Sequence, residues 1–264
     1  SSSLVGLLVL AFVSVGILPL RHAIAVMLGA NLGTTATGWL VTLLGFKLSL
    51  SGVSLPLAGA GALCFVLLPK GVWRSAGLFL LAFGLLIFGL DTMKVAVEGV
   101  GQRFDVSWLQ SYPPVLYLLA GVLLTAIIQS SSAAMLITLS ALNGGLIALP
   151  EALALVIGAD LGTTSTLLLG AIKGSVQKKQ VAAFHVFYNV GTALMAFLLV
   201  MPVWPQISGW LGITDSLYGL VAFHTGFNLI GIVVFAPLLG AMERCIEKHI
   251  GKRGRHDLFA DISP

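Results

Sequence analysis

Charge is scarce in this chain: 9% of its 264 residues are Asp, Glu, Lys or Arg, where an ordinary soluble domain carries about a quarter. So few charges cannot cover a water-soluble surface, and the 58% hydrophobic content excludes one. Cysteine is nearly absent. Cys64, inside an apolar run, and Cys245, in a basic tail, exclude a disulfide framework. The amino terminus has no charged n-region and apolar character continues along the chain, so no cleavable signal is expected. The net charge of +4 does not imply a nucleic-acid partner. Its basic residues form no single face and instead punctuate the apolar runs, where they set orientation.

What is present is a series of those runs: Leu4–Leu20, Ala23–Phe46, Val53–Pro69, Ser75–Val97, Val115–Ile128, Ala133–Leu149, Ala152–Ile172, Gln180–Val203 and Thr214–Gly240. Most are long enough to cross about 30 Å of hydrocarbon, which takes about 20 helical residues. Lipid offers the backbone no hydrogen-bond partner, so such runs are helices rather than open sheets. The fold expected is an all-α polytopic membrane bundle. Val115–Ile128 is too short to span alone and meets the next run at Gln129–Ser132, which marks a broken or re-entrant helix.

Residues 1–45 laid over residues 130–174, at a constant offset of 129 and without a gap, give 18 identities. The strongest blocks are Ser-Ser-Ser (1–3 and 130–132) and Gly-Ala-Asn-Leu-Gly-Thr-Thr-Ala-Thr (29–37) against Gly-Ala-Asp-Leu-Gly-Thr-Thr-Ser-Thr (158–166). Membrane composition explains shared Leu and Ala; it does not explain Gly, Ser and Thr recurring in register. With Lys70, Arg74, Lys173, Lys178, Lys179 and the tail (Arg244, Lys248, Lys252, Arg253, Arg255) on the cytoplasmic side, Arg21 falls inside and its repeat partner Pro150 outside. Lys47 and residues 204–213 also fall outside. The two copies therefore read as inverted-topology repeats, an arrangement that puts a transporter's binding site at the repeat interface. The domain reading is a first repeat over 1–112, a second over 113–240, and a basic cytoplasmic tail over 241–264 in the plasma (inner) membrane. A homo-oligomer is compatible with this pattern.

Hydroxyl groups between apolar half-helices supply donors and acceptors where unpaired polar groups are costly, and such clusters hold ions. Ser1, Ser2 and Ser3 line one half of the expected substrate site, and Gln129, Ser130, Ser131 and Ser132 the other. The repeated Gly-Thr-Thr blocks add Thr34, Thr35, Thr163 and Thr164, with glycines that allow close backbone approach. Asn31 in the first block is replaced by Asp160 in the second, and an intramembrane acid commonly serves cations or protons. His185 with Asn189, and His224 with Asn228, stand four apart and share helix faces. Asn31, Asp160, Thr163, Asn189 and Asn228 are the candidate sodium ligands. Asp160, His185 and His224 match no short zinc spacing, and no cofactor is implied. Because the runs hold almost no Lys or Arg, an anion in so dry a site needs cations to neutralise it, which is a physical reason for sodium coupling. Phosphate, another small anion such as sulfate, or a carboxylate would satisfy that logic. A different class, an intramembrane serine hydrolase using Ser130–Ser132 with His185 or His224 as base, leaves the duplicated serines without a catalytic rationale. The chain does not read as an enzyme.

The strings Gln129–Ser132, Gly29–Thr37, Gly158–Thr166, His185–Asn189 and Phe223–Asn228, with Leu81–Lys94 before the second repeat, resemble the type II sodium/phosphate cotransporter family in its bacterial form. The resemblance covers residues 1–240. It implies sodium-dependent uptake of inorganic phosphate, with the serine motifs and Gly-Thr-Thr segments forming substrate and sodium sites and sodium as the coupling ion. The chain departs from that pattern at both ends. The glutamine and hydrophobic segment before the first serine triplet are absent, as is the soluble helical domain that often follows, so the chain reads as a fragment.

Overall fold

The computed structural model describes residues 2–47, 51–103 and 112–251; Ser1 and the tail residues Lys252, Arg253 and Arg255 lie outside the described residues. Within them the chain forms twelve α-helices and no strand, an all-α bundle. They are α1 (Ser2–Ser14), α2 (Leu20–Leu40, continued by a π-helical turn Val41–Lys47), α3 (Ser51–Leu67), α4 (Val72–Arg103), α5 (Pro114–Ile128) and α6 (Ser131–Asn143). After these come α7 (Leu149–Gly162), α8 (Thr164–Ala171), α9 (Val176–Met195, continued by a π turn Ala196–Val200), α10 (Met201–Trp210), α11 (Ser216–Phe235) and α12 (Leu239–Ile250). Five helical runs, counted across local breaks, are long and apolar enough to cross a membrane: Leu20–Lys47, Val72–Ala96, Leu149–Ala171, Val176–Trp210 and Ser216–Ile250. The remaining apolar runs of the sequence become short helices.

Two of those runs are cut at the same place. Gly16 and Gly145, 129 residues apart, both adopt the left-handed conformation (φ 77° and 71°) that ends a helix without a Cβ penalty. The amide of Ile17 then bonds the carbonyl of Phe12 at 3.0 Å, and that of Leu146 the carbonyl of Ala141 at 2.9 Å. Since α1 and α6 begin and end in register, the repeat extends from sequence to backbone geometry. The copies then diverge. α2 runs unbroken past Thr34 and Thr35, whereas α7 stops at Gly162 and α8 starts at Thr164.

Two apolar bodies hold the bundle. One gathers Met135, Leu139, Ile157, Leu220, Phe223 and Phe227 from α6, α7 and α11. The other gathers Leu10, Ile24, Met27, Leu167, Phe184 and Tyr188 from α1, α2, α8 and α9. α3 and α4 form a hairpin in close backbone contact through Gly61, Gly77 and Gly84, and α4 joins the first apolar body through Leu90. The expected tail begins as structure: α12 buries Met242, and its end is tied down where Gln180 Nε2, on α9, donates to the Gly251 carbonyl at 2.6 Å. The signal for this was available in the amphipathic order of residues 239–250, which the reading of a basic tail passed over.

The glycines of the second repeated block are taken up by helix packing. A Cβ on Gly158 would lie 1.9 Å from the Leu118 carbonyl oxygen of α5, and one on Gly162 would lie 2.7 Å from that of Val122. Their counterparts Gly29 and Gly33 face open space. At one end of the bundle the Lys47 ammonium pairs with Asp215, the N-cap of α11, and stands 5.2 Å from the Tyr218 ring centroid. Lys47 and the start of α11 thus share an end of the bundle. Burial pushes the Asp215 carboxyl up, but the hydrogen bond from Lys47 and those from the backbone amides of Tyr218 and Leu217 outweigh it and hold the group below its ordinary value.

Gly158→Ala is expected to cost about 1–3 kcal/mol through overpacking against α5, whereas Gly29→Ala, with nothing near it, should be neutral or stabilising by up to about 1 kcal/mol. Thermal melts of the detergent-solubilised variants separate the two. Because the Asp215 carboxyl is depressed in the fold, its contribution is fully present above the ordinary carboxylate range and is lost as pH falls through its lower folded value. Asp215→Asn should therefore lower the melting temperature at pH 7, and the gap to wild type should close below about pH 4.

Candidate functional site

The helices carrying the repeated motif and the two His-x-x-x-Asn faces converge: α2 packs on α9 and α11, and α7 packs on the same pair. Within each pair of polar residues the helical turn does the local work. Asn189 Nδ2 donates to the His185 carbonyl at 2.9 Å and Asn228 Nδ2 to that of His224 at 3.1 Å, which holds each amide against its own helix. Each asparagine then meets one copy of the repeated block. Asn31 Nδ2 donates to Asn189 Oδ1 at 2.9 Å, while Asn228 Nδ2 donates to Asp160 Oδ2 at 2.7 Å. The imidazole Nε2 of His224 lies 3.1 Å from Asp160 Oδ1.

Thr163, at the break between α7 and α8, joins the two halves. Its hydroxyl donates to the Asp160 carbonyl at 2.6 Å and stands 3.3 Å from His185 Nε2. A single polar chain therefore runs Asn31–Asn189–His185–Thr163–Asp160–His224–Asn228, taking in all five candidate sodium ligands. Asn189, His185, His224 and Asn228 are each at most 3% exposed. Two atoms of the chain, Asn228 Oδ1 and His224 Nδ1, are buried without a partner. A buried polar atom left unpaired is costly, so both mark positions where a ligand group would be stabilising.

The serine motifs meet in a second cluster. Gln129 caps α5 in the left-handed conformation (φ 60°), and Ser3 Oγ donates to its carbonyl at 3.3 Å, bringing the first triplet to the second. Ser130 caps α6, its hydroxyl accepting from the Ala133 amide at 3.2 Å. Ser2 and Ser131, equivalent under the repeat, are both buried, and Ser132 is half-buried. The Gln129 side chain turns to α8: Nε2 donates to Ser165 at 3.0 Å and Oε1 accepts from Thr166 at 2.8 Å. Sequence reasoning missed Ser165 and Thr166, although the repeated block that signals them includes both positions.

Not every candidate joins these clusters. Thr34 and Thr35 are buried, but their hydroxyls donate to the carbonyls of Ala30 and Leu32 on their own helix, and Thr164 does the same to Leu161. No hydroxyl of Ser130–Ser132 is bonded to His185 or His224 among the described residues, where the histidine contacts go to Thr163, Asn189 and Asp160. Nor do the described residues hold any group of three or more His, Cys, Asp and Glu that could hold a metal ion. Lys94, near the end of the Val72–Ala96 span, pairs with Asp91 at 3.6 Å and bonds the Gly45 carbonyl. Trp39 ties α2 to α11, donating from Nε1 to Thr225 at 2.9 Å and stacking on Tyr218.

Fold and site together define a class, a polytopic membrane protein whose broken helices enclose buried polar groups. Within that class the chain belongs to the Na+/Pi-cotransporter family, a family of transporters, whose sequence model matches residues 1–95 and 109–249. It is 29% identical over 258 residues to "Uncharacterized protein YqeW" of Bacillus subtilis, covering 93% of this chain and 78% of that one. It is 26% identical over 250 residues to the Escherichia coli protein named "Putative inorganic phosphate export protein YjbB", covering 92% of this chain and 44% of that one. The human "Sodium-dependent phosphate transport protein 2C" is 32% identical over 151 residues, covering 53% of this chain and 24% of its own. The chain thus spans less than half the length of two of these relatives. No solved structure matches it.

Replacing Asn189 by Leu leaves the buried Asn31 amide without its acceptor, at an expected cost of about 1–3 kcal/mol. Asn189→Leu should melt below wild type, whereas the exposed Val190→Leu next to it should not.

Proposed function

We propose that this chain carries the core of a sodium-dependent symporter of inorganic phosphate in the plasma membrane. The observation that supports this best is the polar chain from Asn31 to Asn228, buried at the crossing of four helices and carrying one carboxylate, Asp160, with no Lys or Arg. Oxygen groups along that chain, the Asp160 carboxylate, the Thr163 hydroxyl and the unpartnered Asn228 Oδ1, are of the kind that suits sodium. The serine cluster supplies hydroxyls and the amino terminus of α6, a donor set for an anion. In this reading Ser2, Ser3, Gln129–Ser132 and Thr163 line the substrate path, and Asn31, Asp160, Thr163, Asn189 and Asn228 the sodium path, while the hydroxyls of Thr34, Thr35 and Thr164 stay on their own helices. An anion placed between them is desolvated at prohibitive cost unless cations accompany it. Sodium would supply that charge, because basic side chains do not.

The two halves act as inverted repeats in this mechanism, one bundle moving against the other around the shared site. The name of the human relative supports sodium dependence and that of the E. coli relative names export. Export is therefore the second reading, with the same site and the opposite physiological direction.

Phosphate flux through proteoliposomes containing the full-length protein, with sodium gradients imposed in either direction, tests both. Uptake driven by inward sodium is the expected result, and flux indifferent to sodium would remove the coupling. Asp160→Asn, which keeps the shape of the first repeat's residue and removes the charge, should weaken half-saturation by sodium about tenfold, equivalent to about 1.4 kcal/mol.

A further inference from the structure

Gln129 is the only non-glycine residue with positive φ among the described residues (φ 60°, ψ 27°), and it stands between α5 and α6, where the serine motif begins. An L-residue with a Cβ resists that conformation, so something must hold it. Its side chain shows what does. The carbonyl of Ala126 can only accept, so the side-chain nitrogen of Gln129 bonded to it is the amide Nε2, which removes the ambiguity of amide orientation. Nε2 also donates to Ser165 Oγ at 3.0 Å, and Ser165 in turn donates to the Gly162 carbonyl at 2.8 Å. That leaves Oε1 facing Thr166, whose hydroxyl donates to it at 2.8 Å. Both amide hydrogens and the amide oxygen are thereby used.

We infer that Ser165 and Thr166 are positioning residues that clamp the Gln129 side chain to α8 and so fix the helix break that presents Ser130–Ser132. This rests on the transport reading of the serine cluster. The side chain of Gln129 acts as a strut between the α5–α6 break and α8, and the ligand groups at the break are the serine hydroxyls it aims. Thr163 contributes by ending α7, after which α8 starts at Thr164 and carries residues 165 and 166 to the break. The two copies differ here in one half of the clamp: the position equivalent to Ser165 in the first repeat is Ala36, which has no hydroxyl, while that equivalent to Thr166 is Thr37.

The test uses the full-length protein in proteoliposomes, with inorganic phosphate as the probe. Thr166→Val removes the donor and keeps the volume; it should raise the phosphate KM about five- to tenfold, and Thr166→Ser should restore it to within about twofold. A double-mutant cycle separates positioning from direct contact with phosphate: in a Gln129→Ala background Thr166→Val should add less than about twofold. Full additivity, or a wild-type KM in the Ser165→Ala/Thr166→Val double variant, overturns the inference. A second measurement needs no transport. In a background without Cys64 and Cys245, alkylation of Ser132→Cys in phosphate-free protein should speed up several-fold on adding Thr166→Val, and an unchanged rate overturns the clamp. Absence of phosphate flux in the wild-type protein would instead remove the transport reading and leave the alkylation result standing.

Discussion

Everything in this molecule follows from the need to pair polar groups where no water or lipid can pair them. A backbone or side-chain donor in hydrocarbon costs several kcal/mol if left alone, while an interhelical hydrogen bond in a membrane protein contributes only about 0.6–2 kcal/mol. The penalty for leaving a group unpaired therefore exceeds the gain from pairing it, and polar residues are tolerated only where the fold brings them together. The route from Asn31 to Asn228 meets that condition by linking α2, α7, α9 and α11 through side chains and, at Thr163, through the Asp160 backbone carbonyl. The same rule is met at the starts of α6 and α11, where the side chains of Ser130 and Asp215 take over freed backbone amides.

Duplication sets the architecture, and divergence sets the chemistry. α1 and α6 match end for end, and the left-handed glycines after them match in conformation and in hydrogen bonding. Yet Asn31 meets a neutral amide, while Asp160 meets an imidazole and an amide. One half of the site is uncharged and the other carries a carboxylate, so a cation entering the proposed site would find the second half more attractive. The glycines diverge in the same way: Gly158 and Gly162 let α5 lie against α7, and Gly29 and Gly33 face open space.

Much of this was legible in the residues. Low charge and long apolar runs required membrane helices. The 129-residue offset located both serine motifs and both Gly-Thr-Thr blocks. Spacing of four put His185 with Asn189 and His224 with Asn228, and the bonds from each asparagine to its histidine's carbonyl bear this out. The limits were equally physical. A helical period shows that Thr34, Thr35 and Thr164 lie near the motif, but a hydroxyl can always satisfy itself on the carbonyl three or four residues back, and these three do. Ser165 and Thr166 went unnoticed because their partner Gln129 lies 36 and 37 residues away. Docking of α12 depends on Gln180, 71 residues from the carbonyl it caps.

By itself the sequence determined which segments are helices, that they lie in a membrane, that two copies of one unit are present, and which residue types crowd the breaks. These are consequences of composition and short-range periodicity, which operate within a turn or a span. Pairing across helices was decided by the tertiary structure alone: Asp160 with His224 and Asn228, Asn31 with Asn189, Gln129 with α8. The physical reason is that a hydrogen bond between spans depends on how helices pack and rotate against one another, and that rotation is a property of the whole bundle rather than of any one segment.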